Sequence, residues 1–350
     1  MSIGHHNAKR KPDCVVIDTN IWRSELLLKT PMGVSLIYAL QRQGGRIGLP
    51  EVVEAELTGQ VVEMGLEAAN SLVNSSWKVN ILTDSPFEVP VPTKVELEKK
   101  VNERIAALAP MLVREPFTLE HAKAALKMVI AKLPPNKADN QQFKDSAIWQ
   151  AVLTLSREYT VRLVSNDRAF LNKRNEPSSG LAQNLLEDCQ RAEATITVHC
   201  DLASCMKAIT SHVPSFDQTR LVSLITDAFV PRIRAEAARR RFEIVERADT
   251  KTQVFETAQT NRLAVDYVIA MPFIVNASVV TDARSDCRVV ARGGCYHDPK
   301  SNSISGGFLW SLAFEWKHQS GGTGRMVSSF GSEDPSFPFP PPRDWEWRAD

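Results

Sequence analysis

A chain of 350 residues exceeds the usual size of one domain, so two domains, or one domain with large insertions, is the expected organisation. With 43% hydrophobic and 24% charged residues, the composition is globular and excludes disordered, collagen-like and coiled-coil chains. The 42 Lys and Arg against 41 Asp and Glu leave a net charge of +1. No global positive field therefore exists to hold a polyanion or an acidic membrane, and any nucleic-acid partner must be met by a local patch.

Six cysteines (Cys14, Cys189, Cys200, Cys205, Cys287, Cys295) are thinly spread, without a C-x-x-C pair, and read as reduced intracellular thiols. The first residues, MSIGHHNAKRKPD, lack an apolar core segment, and no run approaches 18 uninterrupted apolar residues. The expectation is a cytoplasmic protein with no membrane partner.

Along the chain, the apolar run from Cys14 ends in Asp18-Thr19-Asn20, as a buried strand opening into a polar loop would. Ile21 to Gln43 has helical spacing and is closed by Gly44-Gly45. Arg46 to Leu49 reads as a second strand, followed by an amphipathic helix to about Asn74 and a third short strand near Lys78 to Leu82. The Pro-rich stretch Asp84 to Thr93 breaks the pattern, and helical periods over Val95 to Leu108 and Leu119 to Leu133 read as a helical insertion spanning about 84–135. Phe143 to Glu158 is a helix, Val161 to Ser165 a strand, Leu181 to Ala192 a helix and Ile196 to His199 a fifth strand. This alternation implies an α/β domain with a parallel sheet and helices on both faces over residues 13–212, after a flexible N-terminus of residues 1–12.

Beyond His212 the pattern changes. Gln218 to Arg247 reads as an Arg-dense helix that Pro231 should kink or split, and Lys251 to Lys317 is strand-like, so residues 213–334 are expected to form a smaller α+β domain. The stretch around Arg232 to Arg241 fits an RNA-tracking face or a solvated helix with ion pairs to its interleaved glutamates. Trp310, Phe314 and Trp316 share a parity and belong to the core rather than to a base-stacking surface. The tail, residues 335–350, is rich in Pro, Phe and Trp and suits packing on the body or a partner.

Open α/β sheets bind ligands outside the carboxyl ends of their strands. Asp18 closes the first strand, Glu56 lies in the first turns after the second, Asp145 opens a helix and Asp167 follows the strand ending at Ser165. Four crowded carboxylates repel one another unless a cation neutralises them, and oxygen donors suit hard ions, which points to Mg²⁺ or Mn²⁺. Singly, each acid has a plain structural explanation: Asp-Thr-Asn as a helix cap, Asp145 as a first-turn acid, Asn166-Asp167 as a turn. Glu54 could replace Glu56.

These residues resemble the PIN-domain nucleases: VVIDTN with Asp18, LPEVVEAEL with Glu56, KDSAIW with Asp145 and VSNDRAF with Asp167. The resemblance covers about residues 13–212, leaves the C-terminal region unmatched, and implies a three-layer, Rossmann-like PIN fold. It also implies Mg²⁺- or Mn²⁺-dependent phosphodiester hydrolysis, foremost by an endoribonuclease of the toxin, phage-defence or RNA-processing kind. In that reading Asp18 and Asp145 are the principal metal ligands, with Glu56 and Asp167 completing a site that activates water. Thr19, Asn20, Ser165 and Asn166 would orient ligands or substrate, and Lys137, Lys144 and Arg168 would contact phosphate. A DNA-directed nuclease and a non-catalytic binding module on a PIN-like scaffold are the alternatives. An inhibitor or regulatory protein and a homo-oligomer are the further partners expected.

Overall fold

A computed structural model describes residues 11–84, 87–136, 142–173, 179–210, 215–245, 247–275, 284–318 and 323–328. The expected flexible N-terminus up to residue 10, Lys137 and the Pro/aromatic tail lie outside the described residues. The chain divides into two compact units. One comprises the chain up to Leu27, Leu36–Val62 and Glu98–Ile209; the other comprises Leu28–Ser35, Glu63–Leu97 and the chain from Thr210 onward.

The first unit holds a five-stranded, all-parallel sheet. Its strands are β1 (Asp13–Ile17), β2 (Arg46–Pro50), β3 (Leu112–Glu115), β4 (Thr160–Val164) and β5 (Ile196–His199), in the order β3-β2-β1-β4-β5. The helices in chain order are α1 (Thr19–Ser24), α2 (Pro31–Gln43), α3 (Glu51–Thr83), α4 (Lys94–Leu108), α5 (Leu119–Ile130), α6 (Phe143–Leu155), α7 (Gln183–Arg191) and α8 (Leu202–Ile209). Strands β1 and β4 are buried almost end to end, which is why Cys14–Ile17 reads as an unbroken apolar run and β4 is broken only by Arg162, whose Nε pairs with Asp13 Oδ1 at 3.0 Å. Between β1 and β4 the strand order reverses, so the loops after both strands open side by side. The backbone N–H of Asp18 donates to the Val164 carbonyl at 3.0 Å and ties those two loops together.

Two sequence expectations are corrected here. Lys78 to Leu82 is no strand: α3 continues unbroken to Thr83. The third strand is instead β3, at the sheet edge beside β2, between the expected helices α4 and α5.

The second unit contains α9 (Gln218–Arg239) and an antiparallel sheet of β6 (Phe242–Ile244), β7 (Asp249–Phe255), β8 (Leu263–Val275), β9 (Arg284–Asp298), β10 (Ser303–His318) and β11 (Thr323–Ser328). Pro231 does not split α9. The helix buries Leu221, Ile225, Phe229, Ile233 and Ala237, one residue per turn on a single face, against the sheet. Pro231 has no N–H to donate to the Asp227 carbonyl one turn before it, and both residues are exposed, so the lost bond costs little where solvent can reach. Phe314 and Trp316 are in the core as expected, but Trp310 is not. A register shift between Leu309 and Ser311 flips the parity of β10 and turns Leu309 inward in its place.

Gly293 in β9 sets a tight tolerance. A Cβ there would collide with the Tyr267 hydroxyl and the Phe308 carbonyl, which are hydrogen-bonded to each other at 2.9 Å. Gly293→Ala should therefore destabilise this unit by about 2–3 kcal/mol, read as a lower urea midpoint. An unchanged midpoint would mean that the sheet accommodates the methyl.

Candidate active site

Asp18 follows β1 and caps α1. Its Oδ1 accepts from the Thr19 N–H at 2.7 Å and its Oδ2 from the Ser165 hydroxyl at 2.8 Å, and the residue is only 2% exposed. Burial, the largest influence, pushes its carboxyl up, against the Ser165 hydrogen bond and the Lys144 charge. Asp167, past β4, is fixed on both oxygens. Its Oδ1 caps the turn Arg168–Phe170 through the Ala169 N–H at 2.8 Å, and Gln142 Nε2 donates to Oδ2 at 2.8 Å. Its own N–H donates to Ser165 Oγ at 3.1 Å, so one serine links the loops after β1 and β4.

Glu56 faces out of the second turn of α3. It accepts from the Thr19 hydroxyl at 2.8 Å, from Lys144 Nζ at 2.7 Å and from Gln60 Nε2 at 2.5 Å. Burial works to raise its carboxyl, but the Lys144 and Thr19 hydrogen bonds and the Lys144 charge outweigh it and hold the group below its ordinary value. Lys144 responds in kind: burial opposes its charge, yet Glu56, Asp18 and Asp145 together hold its ammonium above the usual lysine range. The neighbouring glutamates are engaged elsewhere. Glu54 pairs with Arg114 Nε at 3.0 Å through both oxygens, and Glu51 accepts from the Phe117 N–H at 2.7 Å.

Asp145, in the first turn of α6, is 7% exposed. No ion pair or hydrogen bond to its carboxylate occurs among the described residues. Its pKa is pushed up to about 7, first by burial and then by the negative charges of Asp18 and Asp167, with Lys144 pulling the other way and Glu56 adding a smaller push. All four expected acids therefore share one electrostatic neighbourhood. Among the described residues, however, no three His, Cys, Asp or Glu side chains are gathered tightly enough to hold a metal ion as they stand. Of the other expected residues, Ser165 is buried between Asp18 and Asp167, Asn20 is half-buried, and Asn166 and Arg168 are exposed beside the same loops. Lys144 is engaged by Glu56. The sequence reading missed Gln60 and Gln142, whose amides hold Glu56 and Asp167; nothing in their local pattern marks them, because their partners are brought to them only by folding.

Residues 15–170 match the family model of the PIN domain. That span runs from β1 through the turn that follows β4 and includes all four acids, while the remainder of the chain is unmatched. PIN domains are generally metal-dependent nucleases, and the five-stranded parallel sheet is consistent with a PIN-like fold. No curated protein and no solved structure matches the chain.

Within this cluster of acids, Lys144→Met removes the cation that partners Glu56. Because both side chains are about a third exposed, solvent screening limits the expected loss in metal-free protein to about 0.5–1 kcal/mol, read by urea denaturation at pH 7. A loss of several kcal/mol would show that the pair is better shielded than its exposure implies.

Proposed function

We propose that the loops after β1 and β4, with the first turns of α3 and α6, form the centre of an endoribonuclease dependent on Mg²⁺ or Mn²⁺. The observation that carries this reading is Asp145: a buried carboxylate, unpaired among the described residues and raised to about 7 among three further acids, is a pocket with too much negative charge. A hard divalent cation relieves that excess with the oxygen donors already present. Asp18 and Asp145 are the principal ligands, and Asp167 and Glu56 complete the set. When bound, the ion lowers the pKa of an attacking water and offsets charge building on the phosphoryl oxygens.

The chain's own groups do the remaining work. Ser165 and Thr19 fix the rotamers of Asp18 and Glu56, and Gln142 holds Asp167. Asn20, Asn166, Arg168 and Lys144 are assigned to the substrate backbone, as is Lys137 from its place in the sequence. A cytoplasmic role as a toxin or defence effector, restrained by an inhibitor protein, extends this reading on the family resemblance alone. The second reading, a binding module without catalysis, draws on the Lys144–Glu56 pair and on the absence of a closed cage among the described residues.

Incubation with labelled RNA and DNA panels separates these readings. Cleavage of RNA in Mn²⁺ or Mg²⁺, abolished by chelator, is the expected result. Cleavage confined to DNA would reassign the substrate, and no cleavage of either would favour the binding module.

A further inference from the structure

The place of Trp310 outside the core opens a second surface. The antiparallel sheet buries one face against α9, and Val289, Ala291 and Cys295 of β9 point into that core. Gly294 has the opposite parity and lies on the outer face. A Cβ there would meet the Trp310 ring at 3.3 Å and the Phe308 ring at 3.5 Å, so both rings lie over Gly294 on the outer face. Their centroids are 5.5 Å apart with the planes inclined at 60°, and both residues are half-buried rather than enclosed. Packed against each other over a residue without a side chain, the rings hold a fixed orientation and keep part of their surface in solvent.

Beyond the rings the outer face is cationic. Arg292, two residues from Gly294 on the same face of β9, is exposed, and its side chain meets no acceptor among the described residues. Arg288 and Arg325 flank Glu315 from the strands on either side, at 3.0 and 3.4 Å. Three guanidiniums thus face one carboxylate. Lys317 and Asp286 cancel in a pair at 2.7 Å, and Asp266, opposite Gly294, is buried. Arg292 and Arg288 stand four residues apart, about 13 Å of strand, so the positive charge runs along the face instead of sitting at a point.

Aromatic rings beside an unpaired arginine suit one partner chemistry. A base stacks on an aromatic face whatever its identity, and the phosphates that follow it meet guanidiniums. A duplex hides its base faces and would engage the cations alone, and an acidic peptide would leave the rings unused. We infer that the outer face of β8–β11, at Phe308, Trp310 and Arg292, binds single-stranded nucleic acid. This face belongs to the part of the chain that the PIN family model leaves unmatched, and it stands whether or not the acidic pocket cleaves RNA.

Fluorescence anisotropy of labelled oligouridylate and oligothymidylate of about 16 nucleotides, titrated with the full chain in chelator, tests the inference without any cleavage. A Kd of about 1–10 µM at low salt is expected, and the tighter of the two strands identifies RNA or DNA as the one carried. Arg292→Glu changes an exposed side chain that the fold does not use. It should weaken binding at least about fivefold and lower the slope of log Kd against log salt by about 0.7 or more, as loss of one phosphate contact does. Trp310→Ala should also cost at least about fivefold, and Trp310→Phe should recover most of that loss because a ring remains. No binding of either strand at about 100 µM overturns the inference, as does an affinity that either Arg292→Glu or Trp310→Ala leaves unchanged. A duplex bound as tightly as the single strands overturns it. Displacement by polyglutamate as readily as by unlabelled strand overturns it too and assigns the face to an acidic protein.

Discussion

Replacing Asp145 with asparagine should give a protein that resists unfolding better than the wild type at pH 8 and cuts no RNA. The carboxyl rises from its ordinary 3.8 to about 7 on folding, first through burial and then through Asp18 and Asp167. Between those two values the folded chain holds a proton that the unfolded chain has released, so stability falls as pH rises from about 4 to 7 and levels off above. The full penalty is about 2–4 kcal/mol. Asparagine cannot ionise and escapes it. Melting temperatures in chelator from pH 5 to pH 9 should therefore slope downward for the wild type and be flatter and higher for Asp145→Asn. A variant less stable than the wild type at pH 8 would mean that Asp145 is charged and compensated in the native state. Catalysis moves the other way. Loss of a carboxylate's partner in the shell behind a metal typically costs 10–100-fold, so loss of a principal ligand should cost at least about 100-fold in cleavage rate.

Asp18 separates structure from chemistry by a different route. Its side chain satisfies the Thr19 N–H and the Ser165 hydroxyl in a nearly closed environment, at 2.7 and 2.8 Å. Asp18→Ala removes the cap of α1 and leaves both donors without that acceptor, at an expected cost of about 2–4 kcal/mol. Asp18→Asn keeps a carbonyl for Thr19 and presents an amide to the Ser165 oxygen, so its stability should stay within about 1 kcal/mol of the wild type. Both variants should lose RNA cleavage. Urea midpoints measured beside cleavage rates decide the matter: an Asp18→Asn protein that is as active as the wild type would remove Asp18 from the chemistry.

The central strands and the acids at their ends were legible because burial on both faces leaves a largely apolar run, broken in β4 only by Arg162, and the polar residues just after it fall at the ligand-binding edge. Thus CVVI with Asp18, and VRLV ahead of Asp167, stand out in the sequence. Strand β3 was not legible. Leu112–Glu115 is four residues long and mostly half-buried at the sheet edge, with neither alternation nor a continuous apolar run. Lys78 to Leu82 misled in the opposite sense, since apolar residues on an exposed helical arm imitate a strand when nothing in the local pattern reveals that the helix continues. Pro231 misled because a rule about helix interiors gives way where a buried face, running from Leu221 to Ala237, holds both halves in line. At the site, the acids could be found from their positions, but the Lys144 contact with Glu56 and the amides of Gln60 and Gln142 depend on side chains that meet only in three dimensions.

Calorimetric titration of Mn²⁺ into the full chain at pH 7, repeated in buffers of different ionisation enthalpy, probes the acidic pocket itself. Saturable uptake that releases a proton is expected, because an ion displaces the proton held by a carboxyl with a pKa of about 7, and Asp145→Asn should abolish both the uptake and the release. No uptake at millimolar Mn²⁺, or uptake unchanged by that substitution, would contradict a metal-dependent centre at these residues.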